Sequence, residues 1–134
     1  MAVSAMAKKL GLKPKMKAAI LHPPSNYVKL LGTLPEDVSI SEAPGANHDF
    51  VQFFATKKSE IVKARSKLLK SARPGALVWI TYPKKTSGME SDLSREEVWT
   101  AMEGTGWRPV SQIAIDDTWS ALRFRPVADV RSRK

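Results

Sequence analysis

LLKSARPGALVWITYPKKTSG, residues 68–88, decides the fold. Leu68 and Leu69 close a helical segment, Arg73-Pro74-Gly75 stops it, and Ala76–Tyr82 follows as a nearly unbroken apolar run. A strand without polar alternation is one covered on both faces, the habit of parallel sheets flanked by helices. Pro83 then breaks the strand, and Lys84, Lys85, Thr86, Ser87 and Gly88 leave its C-terminal end as a polar loop. In open α/β sheets ligands gather at that edge.

Working backwards, residues 59–72 carry Ile61, Val62, Leu68, Leu69 and Ala72 on one helical face, with Lys63, Arg65, Lys67 and Lys70 largely elsewhere. DFVQFFA at 49–55 reads as an aromatic, β-branched strand. MKAAIL at 16–21 reads as another, closed by His22-Pro23-Pro24, since two prolines cannot extend a central strand. Ser25 can cap a short helix over 26–31 that Gly32 stops, and 38–41 is a further short strand. A first helix over 4–10 ends at Gly11.

Working forwards, Ser94 and Glu97 have the spacing of a capping box, with Leu93 and Val98 at the positions of a hydrophobic staple. Gly104 and Gly106 end that helix. Residues 110–115 and 119–125 are two strands joined at Asp116-Asp117-Thr118 as a hairpin. Helices between buried strands predict an α/β three-layer sandwich with a mostly parallel sheet, ending in an antiparallel hairpin. The expected division is a helical extension at 1–14, one α/β domain over 15–126, and a flexible basic tail at 127–134.

Composition narrows the chemistry. The 134 residues include no cysteine, which excludes disulfides, thiolate catalysis and Cys-ligated metals. His22 and His48 are the only histidines, and their spacing matches no metal motif, so no metal is expected. No apolar run approaches a membrane span and no secretory signal opens the chain, which favours a cytoplasmic, non-membrane setting. The net charge of +9 favours anionic partners, either small phosphorylated molecules or nucleic acid. Solvated basic faces that bind nothing have the same charge.

The order of elements, with ARPGALVWI before an antiparallel hairpin, resembles a truncated class I methyltransferase fold of the Rossmann type over roughly 15–126. That resemblance implies a Gly-rich cofactor loop after the first strand. The loop here is His22-Pro23-Pro24-Ser25-Asn26-Tyr27, without glycine, and prolines supply no amide donors. The acidic residue that the resemblance implies after the second strand falls on Glu42. No cofactor is expected on these grounds. Three phrases, KLGLKPKMKAAILHPPSNY, WITYPKKTSGMESDLSRE and DDTWSALRF, also resemble a bacterial family of small proteins defined by a domain of unknown function. It implies the same compact α/β fold and assigns no catalytic residues.

With a parallel sheet, three loops meet at one edge and gather the candidate site: His22, Ser25, Asn26, Lys84, Lys85, Thr86, Ser87, Gly88, Asp116 and Trp119, with Asp117 and Thr118 beside them. Ammonium groups, hydroxyls and a glycine amide suit an anion, and Trp119 offers a flat face to a ring. The expected function is a non-catalytic binding or regulatory module for a phosphorylated or nucleotide-like anion. The alternatives are a nucleic-acid-associated protein, a divergent methyltransferase-like enzyme, and an interaction protein that uses Trp99 and Trp107. Asp116 and Asp117 are also ordinary turn residues, and pairing with Lys84 or Lys85 would neutralise the proposed site.

Overall fold

The computed structural model describes residues 3–25, 27–42 and 45–127. The elements in chain order are α1 (Ala5–Leu10), β1 (Lys17–Leu21), α2 (Tyr27–Leu31), β2 (Ser39–Ser41), β3 (His48–Phe54), α3 (Lys58–Ser71), β4 (Ala72–Pro83), α4 (Arg95–Ala101), β5 (Trp107–Ala114) and β6 (Trp119–Pro126). A single 3-10 turn at Lys85–Ser87 lies between β4 and α4.

The strands form one sheet of order β2-β1-β3-β4-β6-β5. The pairs β1–β2, β1–β3 and β3–β4 are parallel. β6 runs antiparallel to both β4 and β5, filling the slot between them. This is the α/β sandwich of the Rossmann type that the sequence predicts, with the terminal hairpin folded into the sheet.

Alternation along the central strands explains the three layers. Ala19, Leu21, Val51, Phe53, Val78 and Ile80 face α3 and α4, where Ile61, Leu68, Val98 and Met102 meet them. Ala18, Ile20, Phe50, Phe54 and Trp79 face the other way, toward α1 and α2. Ala7 and Leu10 of α1 are fully buried there, and the Trp79 indole Nε1 donates to the Leu10 carbonyl at 3.1 Å. Ala7 and Leu10 thereby tie α1 to the core; of the expected tail at 127–134, Val127 N donates to Gly106 O at 2.8 Å, and 128–134 lie outside the described residues.

Polar groups inside this second layer are paired with one another. The Tyr27 hydroxyl donates to Gln52 Oε1 at 2.7 Å, and Gln52 Nε2 donates to Thr81 Oγ1 at 2.9 Å. All three residues are buried, and the pairing is what makes polar side chains tolerable in that position.

Two local details differ from the sequence reading. Arg73-Pro74-Gly75 does not separate α3 from β4. Ala72 already pairs with His48, and the ladder resumes at Leu77 opposite Phe50, so the intervening residues bulge out. Gly75 at φ 83° permits the bulge, and the Arg73 guanidinium is anchored on the Asp49 carboxylate. At α4, Ser94 Oγ accepts the Glu97 amide at 3.3 Å, and Leu93 and Val98 are both buried, as the staple requires. The Glu97 carboxylate faces Lys58 Nζ at 3.6 Å on α3.

Candidate functional site

The C-terminal edge of the sheet is assembled from the ends of β1, β3 and β4 and the beginning of antiparallel β6. Backbone bonds lock these ends together: Ala55 N donates to Thr81 O at 3.0 Å, and Lys84 N donates to Thr118 O at 2.7 Å. Asp116 Oδ1 accepts the amides of Thr118 and Trp119, both at 2.8 Å. Asp116 therefore shapes the turn that presents Trp119, an Asx-type use of a carboxylate.

Aromatic rings line this edge. Trp119 meets Phe54 edge-to-face at 5.1 Å between centroids, and Phe54 meets Tyr27 at 4.6 Å. His22 ends β1 with φ 55°, in the left-handed region that a side chain with a Cβ occupies at a cost. Its exposed ring stands against Phe53 at 5.4 Å.

Three clefts open here. One of about 450 Å³ is lined by His22, Phe53, Thr56, Glu60, Lys63, Ala64 and Trp119, among others. A second of about 600 Å³ lies across Trp119, with Pro24, Tyr27, Lys29, Leu30 and Asp116. A third of about 420 Å³ contains Lys84 and Lys85, facing Met89, Ser91, Asp92 and Glu97.

The structure thus brings His22, Asp116 and Trp119 to clefts that adjoin one another, and puts Lys84 and Lys85 in a separate depression that also holds two carboxylates. No ion pair joins Lys84 or Lys85 to Asp116 or Asp117 among the described residues; the two ion pairs there are Lys58–Glu97 and Arg73–Asp49. Thr86 and Ser87 belong to the 3-10 turn, where Ser87 Oγ accepts the Met89 amide at 3.2 Å. Gly88 has φ 81° and open space where a Cβ would sit, so its glycine serves the turn's conformation. Ser25 is exposed on the loop after β1, and Asn26 lies outside the described residues.

Sequence reasoning missed Lys63, Lys29, Thr56 and Tyr27 as site residues. The available signal was positional: Thr56 lies just past the third strand, and Lys63 lies in the second turn of the helix that follows it.

The anion chemistry of this edge belongs to side chains. Glu60 Oε1 accepts the amides of Thr56 at 2.8 Å and Lys57 at 3.1 Å, and Asp92 Oδ1 accepts the Lys58 amide at 2.8 Å. The chain's own carboxylates therefore occupy the start of α3, where an anion would otherwise settle. These contacts, the Thr56 amide first, hold the Glu60 carboxyl below its ordinary range. Lys63 makes no ion pair among the described residues. On the other side of Trp119, burial chiefly raises the Tyr27 hydroxyl pKa well above its usual value, with the charge of Asp116 adding to it.

The fold is that of the class I methyltransferases, shortened. A SAM-dependent methyltransferase from Aquifex aeolicus superposes with a TM-score of 0.58 at 17% identity, over 87% of this chain and 85% of that one. The N-methyltransferase NodS from Bradyrhizobium japonicum gives 0.59 at 10% identity, over 90% of each chain. A Thiobacillus denitrificans methyltransferase solved with S-adenosyl-L-homocysteine gives 0.57 at 9% identity, over 92% of this chain and 90% of that one. No protein-family model matches the chain, and no curated protein does.

The fold family implies S-adenosylmethionine, and the residues here do not fit it. Pro23 and Pro24 offer no N–H to a cofactor carboxylate, and the loop from His22 to Ser25 contains no glycine that would let backbone approach it closely. The exposed His22 ring stands where the loop leaves β1. No chemical step is derived through that cofactor. Among the described residues no cluster of three metal-ligating side chains occurs, and no helix is long and apolar enough to cross a membrane.

Proposed function

We propose that this chain is a non-catalytic binding module that holds a phosphorylated or nucleotide-like anion in the cleft between His22 and Trp119. One observation carries the reading: a single cleft of about 450 Å³ has His22, Phe53 and Trp119 in its wall together with Lys63. A planar ring is satisfied by the aromatic faces, and a phosphate by the ammonium. The carboxylate beside them, Glu60, is turned onto the Thr56 and Lys57 amides and is held ionised by them. Asp116 is likewise committed to the turn beneath Trp119. Neither carboxylate is placed as a base for a bound hydroxyl.

Thermal shift and calorimetry with AMP, ATP and inorganic phosphate test this. A nucleotide at 100 times its dissociation constant should stabilise the fold by about 2.7 kcal/mol. Lys63→Gln should weaken phosphate-bearing ligands selectively, and Trp119→Ala should weaken nucleotides more than phosphate. Millimolar nucleotide that leaves the melting temperature unchanged would sink the proposal. A shift indifferent to both substitutions would move the site elsewhere.

A further inference from the structure

We infer that the anion bound at this edge is a segment of single-stranded nucleic acid, laid along a groove from Trp119 past His22 and down one flank of α3. The inference rests on the nucleotide-like reading above and extends it from one unit to several.

Two clefts adjoin along this line. The upper is the cleft between His22 and Trp119; the lower, about 220 Å³, is formed by Leu21, Glu42, Lys67 and Leu68. His22, Phe53 and Ala64 line both. α3 packs against α4 on one side and over β3 and β4 beneath. Its opposite flank therefore forms the wall of the groove.

That wall repeats its charge. Lys63 and Lys67 are one helical turn apart, about 6 Å along the axis. Lys29 stands across Trp119 in the adjoining cleft. None of these ammonium groups has an ion-pair partner among the described residues. Three carboxylates stand near them, and the one beside Lys29, Asp116, accepts the Thr118 and Trp119 amides. Glu60 is tied to amides of its own helix start, and Glu42 stands at the lower end.

A free mononucleotide needs one ring pocket and one cation. Here clefts flank Trp119 on both sides, each with a lysine, and a further lysine continues the line. Repeated ammonium groups beside aromatic side chains are how sequence-tolerant proteins hold unpaired strands: phosphates follow the cations and bases stack on rings. Clefts of this size admit single unstacked bases. The net charge of +9 acts in the same direction.

Fluorescence anisotropy with a labelled ten-nucleotide oligo(dT) or oligo(U), beside TMP, UMP and a duplex of the same length, tests the inference. The oligonucleotide should bind at least tenfold tighter than the mononucleotide, and the duplex more weakly. Three phosphate contacts predict a slope of log K against log salt near −2, about −0.7 for each contact in a single strand. Lys67→Gln, a surface substitution, should reduce that slope by about 0.7 and leave mononucleotide affinity unchanged. An oligonucleotide no tighter than the mononucleotide, a duplex that binds equally, or a slope unmoved by Lys67→Gln overturns the inference and leaves the mononucleotide site standing. If neither ligand binds, both readings fall together.

Discussion

Tyr27→Phe removes one oxygen atom from the buried polar chain Tyr27–Gln52–Thr81 and leaves its ring in place. The lost hydroxyl donates to Gln52 Oε1 at 2.7 Å, in a layer where Tyr27 is 2% and Gln52 0% exposed. A buried acceptor stripped of its donor costs about 1–3 kcal/mol. With an unfolding entropy of about 2.1 cal/mol/K per residue, each kcal/mol moves the melting temperature of a chain this long by about 3–4 °C. The substitution should therefore lower it by about 4–10 °C. Urea titration should show a lower midpoint at unchanged slope, since the surface exposed on unfolding is the same. The triple variant Tyr27→Phe, Gln52→Leu, Thr81→Val removes both sides of each pair and should be more stable than the single one. The same hydroxyl makes an alkaline prediction. Burial raises its pKa above the ordinary value near 10, so from about pH 10 upward the folded state holds a proton that the unfolded chain releases. Stability must then fall as pH rises past 10. Tyr27→Phe should flatten much of that fall, leaving the share of Tyr82, whose hydroxyl burial also raises. A single variant within 0.5 kcal/mol of the parent, together with a triple variant no better, would refute this account of the buried chain.

Asp49 accepts the Lys17 amide and the Arg73 guanidinium, which hold its carboxyl below the ordinary carboxylate range. Asp49→Asn should be destabilising at neutral pH, and its deficit should begin to shrink as pH falls below about 4, where the unfolded chain takes up a proton that the folded Asp49 carboxylate still resists; urea midpoints from pH 7 to pH 3 would show this. Arg65 Nη1 donates to the carbonyls of Ala101 at 2.7 Å and Glu103 at 2.8 Å, tying α3 to the end of α4. Arg65→Ala should cost about 1.5–3 kcal/mol in chemical denaturation, with Arg65→Lys recovering part of it. His22→Gly relieves a left-handed residue worth about 1–2 kcal/mol. It forfeits the ring contact with Phe53 and adds chain entropy, about 1–2 kcal/mol together. Its melting temperature should therefore stay close to the parent's while nucleotide binding weakens, a separation that titration and melting on the same sample would reveal.

What could be read without coordinates was whatever a short window dictates. ALVWITY has no polar alternation, and it is a central strand covered on both sides. Ser94 with Leu93 and Val98 marks the start of α4 because cap and staple are local. The misread points depend on residues distant in sequence. Pro74-Gly75 is a natural helix stop, and the partner that anchors Arg73 at the bulge of β4, the Asp49 carboxylate on β3, lies far away in sequence. Glu97 answers to Lys58 on another helix. At the site, the edge and three of its contributors, His22, Asp116 and Trp119, follow from the parallel topology alone. The separation of Lys84 and Lys85 from them follows from the course of residues 88–94, which carries Asp92 across to the Lys58 amide. Lys63 enters through the rotation of α3 about its axis, which the sequence pattern misplaces by setting Val62 on the buried face, where the structure leaves Val62 exposed.

The placement of β6 has a consequence for the route by which the chain reaches this structure. Of the described strands it is the last in sequence, yet it is interior to the sheet, with ladders to β4 on one side and β5 on the other. Until it arrives, β4 exposes an open edge and β5 has no neighbour at all. The early strands can assemble around β3, but closure waits for a segment some forty residues beyond β4, which makes it a slow, non-local event. During that interval the apolar edge of Val78 and Ile80 is a template for intermolecular pairing. The residues that present Trp119 are thus also those whose late arrival seals the sheet, and a turn at Asp116 that forms early would shorten the time spent open.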